Sequence, residues 1–235
     1  MKIVDLRRKL LPDYSVIPFL LCAVGQLIAY YLSRVINYSF RGMPETFPDI
    51  GTDLDRAIPV WPVWSTVYFL SYLFWFISYV WVSRESKEMC NRLLTADMMG
   101  KLICAVIFVI FPTTFLRPAV DTSTFDGWLL NFIYQIDQPD NLFPSMHCSV
   151  SWFSARFVFK CEKIPKRYKI FAFVAAFMVF ASVLFTKQHV IIDIFAGVFV
   201  AEACTQIASR TKLHKLYDKL DIGRFYERKE KRRKG

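Results

Sequence analysis

Two of the chain's three histidines lie in segments whose residue types and spacing could do chemistry. His189 and Asp193 are four residues apart, so on a helix they share one face, and the carboxylate can accept the Nδ1 proton of the imidazole. Such a contact fixes the tautomer of the ring. It leaves Nε2 of His189 free to act as a nucleophile or a base.

The second histidine, His147, ends the segment Phe-Pro-Ser-Met-His at 143–147. Pro144 suits the first position of a helix, and the unpaired amides of a first helical turn form an anion site. Arg117 carries a planar guanidinium that matches phosphate oxygens, and Lys187 adds a second cation. Two cations beside a helix N-terminus suit a phosphoryl group during transfer.

These segments need a membrane scaffold to bring them together. Hydrophobic residues make up 54% of the chain and aromatic residues 17%, which is too apolar for an ordinary soluble domain. A bilayer core needs roughly 20 apolar residues per helix. Six such runs are present, and they predict one all-α, six-span membrane domain over 1–235; they lie near 15–36, 61–83, 98–116, 143–159, 168–187 and 188–209.

The basic residues predict the orientation of the spans. Most Lys and Arg fall in segments 1–14, 84–101, 156–169 and 210–235, which would all lie on one side of a six-span bundle. By the positive-inside rule this side is cytoplasmic, together with both termini and the basic tail 210–235. The segments with the two histidines and Arg117 are then expected at the outer mouth, most simply facing the extracytoplasmic side of a plasma membrane; in a eukaryote an organelle lumen is equally compatible.

Charge and cysteine content argue against two other classes of protein. The net charge of +10 is compatible with nucleic-acid binding, but its clusters sit at the ends of predicted spans, which favours the membrane surface. The six cysteines form no CxxC pattern and no paired spacing. We therefore expect no disulfide framework and no zinc site.

Several polar segments favour structural interpretations. The fourth run carries the most polar residues, so its inner face is not expected to face lipid. Residues 127–134 could form an interfacial helix, and Arg156 with Glu202 is expected to be a structural ion pair. Asp137 with Asn141 is interpreted as a turn that caps the fourth span.

Three segments together resemble a known family. Arg117-Pro118, then residues 144–147, then His189-x-x-x-Asp193 are similar in order and spacing to the three signature segments of the type 2 phosphatidic acid phosphatase superfamily. The resemblance covers spans three to six. It is closest to the branch shared with inositol phosphorylceramide synthases, because Asn141 precedes Phe-Pro-Ser-x-His and the third segment reads Thr-Lys-Gln-His.

The resemblance implies a role for each matched residue. His189 would attack phosphorus to give a phosphohistidine, with Asp193 orienting it, and His147 would protonate the leaving alcohol. The phosphate oxygens would be held by Arg117, Ser145 and the amide of Met146. The resemblance implies no metal and no cofactor.

The sequence departs from the family pattern at two positions that usually carry cations. Ile110 stands where a Lys is usual, and Val183 stands where an Arg is usual. Lys187 lies close to His189 and could compensate for them.

The function remains open between three possibilities. The leading prediction is a membrane phosphatase acting on a lipid phosphate or a polyprenyl diphosphate. The second is a transferase that passes a phospho head group to another alcohol, as in inositol phosphorylceramide or sphingomyelin synthesis. The third is a transporter or a non-catalytic lipid-binding protein, although no inverted repeat is visible. The particular lipid and the oligomeric state are not specified by the sequence.

Overall fold

The computed structural model describes residues 11–221, and this part of the chain is helical without a β-strand. The α-helices, in chain order, are α1 Val16–Phe40, α2 Asp53–Ala57, α3 Trp64–Glu85, α4 Lys87–Ile110, α5 Phe125–Ile136, α6 Met146–Lys160, α7 Lys166–Phe185 and α8 Ile191–Arg210. Short 3-10 helices cover Asp13–Ser15, Pro44–Thr46 and Leu213–Leu220. The predicted all-α class is therefore confirmed.

Five helical segments are long and apolar enough to cross a membrane, which indicates a multi-pass membrane protein. They are Asp13–Phe40, Trp64–Glu85, Lys87–Ile110, Lys166–Phe185 and Ile191–Arg210. The remaining long helix, α6, has 15 residues and so measures about 22 Å. A sixth span and the side on which the termini lie remain predictions, and residues 1–10 and 222–235 are outside the described part.

The third predicted span, residues 98–116, is wrong at both ends. Only Ser86 separates α3 from α4, so the cytoplasmic loop predicted over 84–101 is almost entirely helix. Ser86 caps α4 through its side chain, and Glu88 forms an i,i+4 ion pair with Arg92 at 2.8 Å. A hydropathy scan interprets such charges as a loop, although paired charges on one helical face are compatible with a continuing helix.

Helix α6 lies at the centre of the bundle and packs against α3, α4, α7 and α8. Its serines are buried, as its polar face predicted: Ser149, Ser151 and Ser154 are each at most 3% exposed. The indole Nε1 of Trp75 on α3 donates to Ser151 Oγ at 2.8 Å. The central helix is thus held by polar contacts inside the protein.

Helix α1 has a peripheral position. It packs along α4 but makes few contacts with α3 or α6. This arrangement leaves a gap between α1 and α3.

The bundle has two distinct ends. We call the end where α3, α6 and α8 begin the histidine end, and the end where they finish the opposite end. At the opposite end, Glu85 accepts hydrogen bonds from the amides of Glu162 and Lys163 at 3.2 and 3.0 Å. Many basic side chains lie there, on the first or last turns of helices: Arg84, Lys87, Lys160, Lys166, Arg167 and Arg210.

The first part of the predicted basic tail is folded onto α4. The 3-10 helix Leu213–Leu220 packs against it, and Lys87 Nζ lies 2.7 Å from Asp221 Oδ2. The tail beyond residue 221 is outside the described part.

Three further interpretations of polar segments have clear outcomes. The helix predicted over 127–134 is α5, and Arg156 Nε forms the predicted ion pair with Glu202 Oε2 at 2.8 Å. The interpretation of Asp137 with Asn141 as the cap of the fourth span was wrong, because Ser145 caps α6. All six cysteines are buried free thiols.

Candidate active site

His189 is held by the first turn of α8. Its Nδ1 lies 3.1 Å from Asp193 Oδ2, and the same carboxylate oxygen accepts the amide of Val190 at 3.0 Å. His189 is 7% exposed and Asp193 is fully buried. The contact expected from the i,i+4 spacing is therefore present, but His189 lies before α8 rather than on it, and Asp193 meets the ring with the carboxylate that caps the helix.

The first turns of α6 and α8 are joined through their backbones. The amide of Ser145 donates to the carbonyl of Asp193 at 3.1 Å, and Ser149 Oγ donates to the carbonyl of Gly197 at 2.9 Å. A Cβ at Gly197 would lie 2.4 Å from the Ser145 carbonyl oxygen, so only glycine permits this approach. The sequence thereby places both histidine-bearing helix starts side by side.

The N-terminus of α6 offers unpaired donors. Ser145 Oγ accepts the amide of Cys148 at 3.2 Å, whereas the amides of Met146 and His147 have no hydrogen-bond partner within residues 11–221. Free amides and the helix dipole both favour an anion at this position. The position predicted for phosphate is thus available for one.

Aromatic rings surround His147. Its ring lies 4.5 Å from that of Tyr68 and 5.4 Å from that of Trp75, between centroids, and Tyr72 Oη lies 3.4 Å from Nε2. The rings of His147 and His189 are 5.9 Å apart. A cavity of about 250 Å³ is lined by both histidines, so one bound group can reach both.

Arg117 is held beside the segment that precedes His189 by three protein oxygens. Its Nε donates to the carbonyl of Lys187 at 3.3 Å, Nη2 donates to Gln188 Oε1 at 2.6 Å, and Nη1 donates to the carbonyl of Asp137. A guanidinium has five N–H donors, so two remain for an anion.

A comparison with protein families finds one similarity, which covers the C-terminal half of the described structure. A family model described as the PAP2 superfamily matches residues 101–215, slightly less than half of the chain. Residues 101–215 are therefore similar to the PAP2 superfamily. Members of this superfamily are generally phosphatases or phosphotransferases. Searches of curated proteins and of solved structures found no match.

All seven predicted site residues lie within the PAP2 match. His189, Asp193, His147, Ser145, Met146 and Arg117 meet at the histidine end with the geometry given above. The branch related to inositol phosphorylceramide synthases is not distinguished by this match.

The two departures from the PAP2 pattern have different structural settings. Ile110 is the last residue of α4 and is 67% exposed. Val183 is buried, and its carbonyl accepts the amides of Gln188 and His189 at 2.9 and 3.1 Å. The second position therefore supports the His189 segment through its backbone, and its side chain is apolar and buried.

Lys187 does not point to the site that was predicted for it. Its Nζ donates to the carbonyls of Asp55 and Ile58 at 2.6 and 2.5 Å, and the residue is 5% exposed. Burial lowers the pKa of Lys187, and the nearby charge of Asp55 only partly opposes this effect. A phosphate-binding role for Lys187 stays a prediction that this geometry does not support, because the backbone of Lys187 adopts a φ of 53° and its side chain reaches the loop around α2.

Sequence reasoning did not identify Asp55, which lies beside the PAP2 site. Its Oδ1 accepts the amide of Ile191 at 2.7 Å, at the start of α8. Its Oδ2 accepts the amide and hydroxyl of Thr52 at 2.9 and 2.6 Å. The signal was the capping-box spacing Thr52-x-x-Asp55, although nothing in it shows that the same carboxylate binds a second helix.

The surroundings of His147 also include a buried carboxylate that sequence reasoning treated as a cap. Asp137 accepts the hydroxyls of Tyr30 and Tyr68. Burial alone would raise its pKa, but the charges of His147 and Arg117 and these hydrogen bonds lower the pKa of Asp137 below its usual value. Asp137 therefore supplies negative charge behind the Tyr68 ring on which His147 packs.

Proposed function

We propose that the chain is an integral membrane phosphatase that hydrolyses a lipid phosphate or a polyprenyl diphosphate through a phosphohistidine. One observation carries the proposal. His189, fixed by Asp193, and His147 line the same cavity beside a helix N-terminus with two free amides.

In the first step, the lone pair on His189 Nε2 forms a bond to phosphorus while the bond from phosphorus to the lipid oxygen breaks. His147 gives its proton to the leaving oxygen. The tautomer needed for attack has its proton on Nδ1, and the 3.1 Å contact with Asp193 Oδ2 favours it. The two rings are close enough to serve opposite sides of one phosphorus atom.

In the second step, water attacks phosphorus and passes a proton to His147 as the bond to His189 breaks. Inorganic phosphate then leaves and both histidines return to their first state. In both steps the charge on the phosphoryl oxygens is met by Arg117, Ser145 and the amide of Met146. Each such preorganised donor typically lowers the activation barrier by about 3 kcal/mol.

The orientation of the site is part of the proposal. Basic side chains gather at the opposite end, and the positive-inside rule then places the histidine end outside the cytoplasm. The substrate head group would therefore react at the outer leaflet, most simply that of a plasma membrane.

A phosphotransferase is the second candidate, and a specific observation favours it. The ring of His147 also lines an apolar cavity that extends into the bundle. An alcohol held in this cavity would compete with water for the phosphohistidine. The resemblance to inositol phosphorylceramide synthases points in the same direction.

The test is phosphate release by the purified full-length protein from phosphatidate and from a polyprenyl diphosphate, with lipid products analysed in parallel. His189→Ala is the inactive variant. His214→Gln is its matched control, because His214 lies at the opposite end in Leu213–Leu220.

The proposal predicts phosphate release by the wild type and by His214→Gln, and none by His189→Ala. A new phospholipid formed from an added alcohol without phosphate release would favour the transferase. Equal release by the wild type and His189→Ala would refute both.

A further inference from the structure

The second cavity lies in the gap beside α1 and has a volume of about 320 Å³. This is within the range of small-molecule binding sites. Its lining is mostly apolar or aromatic and includes Phe19, Ala23, Trp75, Phe76 and Val150. It begins at His147 and Tyr72 and continues to Tyr79, seven residues or about 10 Å further along α3.

A buried ion pair forms the deep end of the cavity. Lys101 Nζ lies 2.6 Å from Asp97 Oδ2 and also donates to the carbonyl of Cys22 at 3.1 Å. Asp97 is 1% exposed and Lys101 is 8% exposed. Both residues lie near the middle of α4, so the pair is remote from either end of the bundle.

Two polar atoms at this deep end lack partners. The second carboxylate oxygen of Asp97, Oδ1, has no hydrogen bond within the described residues, and neither has the hydroxyl of Tyr79. Both residues line the cavity. A buried polar atom without a hydrogen bond is costly. The Tyr79 hydroxyl lies near enough to Asp97 to interact with its carboxylate, so one polar ligand group beside them can bind both residues.

We propose that this cavity binds a long-chain lipid that carries a hydroxyl or amide group, which donates to Asp97 Oδ1 and whose oxygen accepts from the Tyr79 hydroxyl. The carboxylate oxygen can only accept a hydrogen bond, which selects a donor over an ester or ether oxygen. The mostly apolar walls accommodate the chain. A purely hydrocarbon chain would offer neither polar atom a hydrogen bond.

The gap between α1 and α3 supplies the entrance. Ala23 on α1 and Phe76 on α3 line the cavity and are exposed on the side of the bundle. A lipid can therefore enter sideways from the bilayer with its polar end toward His147.

Two kinds of ligand have a polar hydrogen-bonding group on a long apolar chain. The ligand is either the hydrophobic part of the phosphate substrate or an alcohol that accepts the phosphoryl group. The second kind rests on the proposed function, whereas binding itself does not. The test therefore measures binding without turnover.

The experiment uses quenching of tryptophan fluorescence in the detergent-solubilised full-length protein. Trp75 lines the cavity, so the difference between the wild type and Trp75→Phe isolates its signal. The probes are a brominated long-chain alkane and a positional series of brominated alkanols of the same chain length.

The expected result is an alcohol preference of about tenfold in the half-quenching concentration, the strength of a hydrogen bond to a charged group. The preference peaks for one hydroxyl position and is lost when the ion pair is replaced by Asp97→Leu with Lys101→Met. The matched control, Glu202→Leu with Arg156→Met, removes another pair between membrane helices and keeps the preference.

A further variant covers the case in which the double replacement fails to fold. Tyr79→Phe removes one unpartnered hydroxyl at almost unchanged shape and reduces the preference. Equal quenching by the alkane and every alkanol in the wild type would overturn the proposal, as would a full preference in Tyr79→Phe and in the Asp97 and Lys101 variant.

The two kinds of ligand are then separated by hydroxyalkyl phosphates and by plain alkyl phosphates mixed with an alkanol. Faster phosphate release from a hydroxyalkyl phosphate identifies the substrate, and a new alkyl phosphate made from the alkanol identifies an acceptor. Alcohol binding without phosphate release from any compound would refute the proposed phosphatase and leave the binding site established.

Discussion

The rings of His189 and His147 lie 5.9 Å apart at the same end of the bundle, but the protein holds them in different ways. His189 precedes α8, and its Nδ1 meets a carboxylate that also caps that helix. His147 lies in the first turn of α6 and is packed between aromatic rings, with a tyrosine hydroxyl 3.4 Å from Nε2.

The difference matches two chemical tasks. A nucleophilic imidazole must keep one tautomer and one direction, and a rigid carboxylate provides both. A general acid must give up and regain a proton in each cycle. Burial disfavours the protonated form of the His147 ring, so the acid role requires the negative charge of a bound phosphate to keep the ring protonated. The following predictions test this division, from the largest expected effect to the smallest.

Asp193→Asn should lower kcat by about a thousandfold, because the amide can no longer fix His189 in the tautomer needed for attack. KM for a lipid phosphate should change little. Steady-state phosphate release checks both values. Asp121→Asn, in an exposed loop at the same end, is the control and should retain wild-type turnover; a comparable loss there would remove the special role of Asp193.

His147→Gln should lower kcat for an alkyl phosphate by about a hundredfold, since general acid catalysis is lost. With nitrophenyl phosphate the loss should shrink to a few-fold, because that leaving group departs without a proton. The measurement compares kcat of the wild type and the variant on both substrates, with one preparation of each protein. Equal losses on both would show that His147 is not the acid.

Asp55→Asn should destabilise the histidine end by about 1–3 kcal/mol, since its carboxylate joins the loop around α2 to the start of α8. Burial tends to raise the pKa of Asp55, but hydrogen bonds from Thr52 and Ile191 and the charge of Lys187 hold it below the usual 3.8. The ionised form is thus stabilising above about pH 4, and the contribution disappears as the pH falls through the lowered pKa.

Thermal unfolding of the wild type and Asp55→Asn between pH 3 and pH 7 measures this contribution. The gap between their unfolding temperatures should be widest at neutral pH and narrow in acid. A gap independent of pH would show that the ionised carboxylate is not responsible.

Lys187→Met should have the smallest effect on turnover, with KM for a lipid phosphate changed by less than about threefold, because its ammonium binds loop carbonyls. Arg117→Met should raise KM by at least about tenfold, as expected for loss of a charged hydrogen-bond donor. If Lys187→Met matched Arg117→Met, Lys187 would be the cation that replaces those missing at Ile110 and Val183.

Local spacing predicted much of the helical fold and of the site. The ends of the predicted runs 15–36, 61–83, 143–159, 168–187 and 188–209 differ from those of the helices by at most four residues. The pairing of His189 with Asp193 followed from their spacing, although His189 lies before α8 rather than on it. The predicted helix start is also present, but it lies two residues after Pro144, because Ser145 is the cap of a helix that begins at Met146. These features depend only on residues that are neighbours in sequence.

Features that depend on distant contacts were missed. Tyr68 and Tyr72 meet His147 from another helix, and Asp55 meets α8 across more than a hundred residues. Local sequence patterns do not predict contacts between residues that are far apart in the chain. The orientation of Lys187 was missed for the same reason, since the carbonyls that bind it belong to Asp55 in α2 and to Ile58 directly after it.

The central claim is that His189 carries the phosphoryl group and His147 does not. Rapid quenching of the wild type with a lipid phosphate, followed by mass spectrometry of peptides under alkaline conditions that preserve phosphohistidine, tests it directly. The account predicts one phosphate on His189, and none on any peptide of His189→Ala. Phosphate on His147, or turnover of the His189→Ala variant at the wild-type rate, would contradict it.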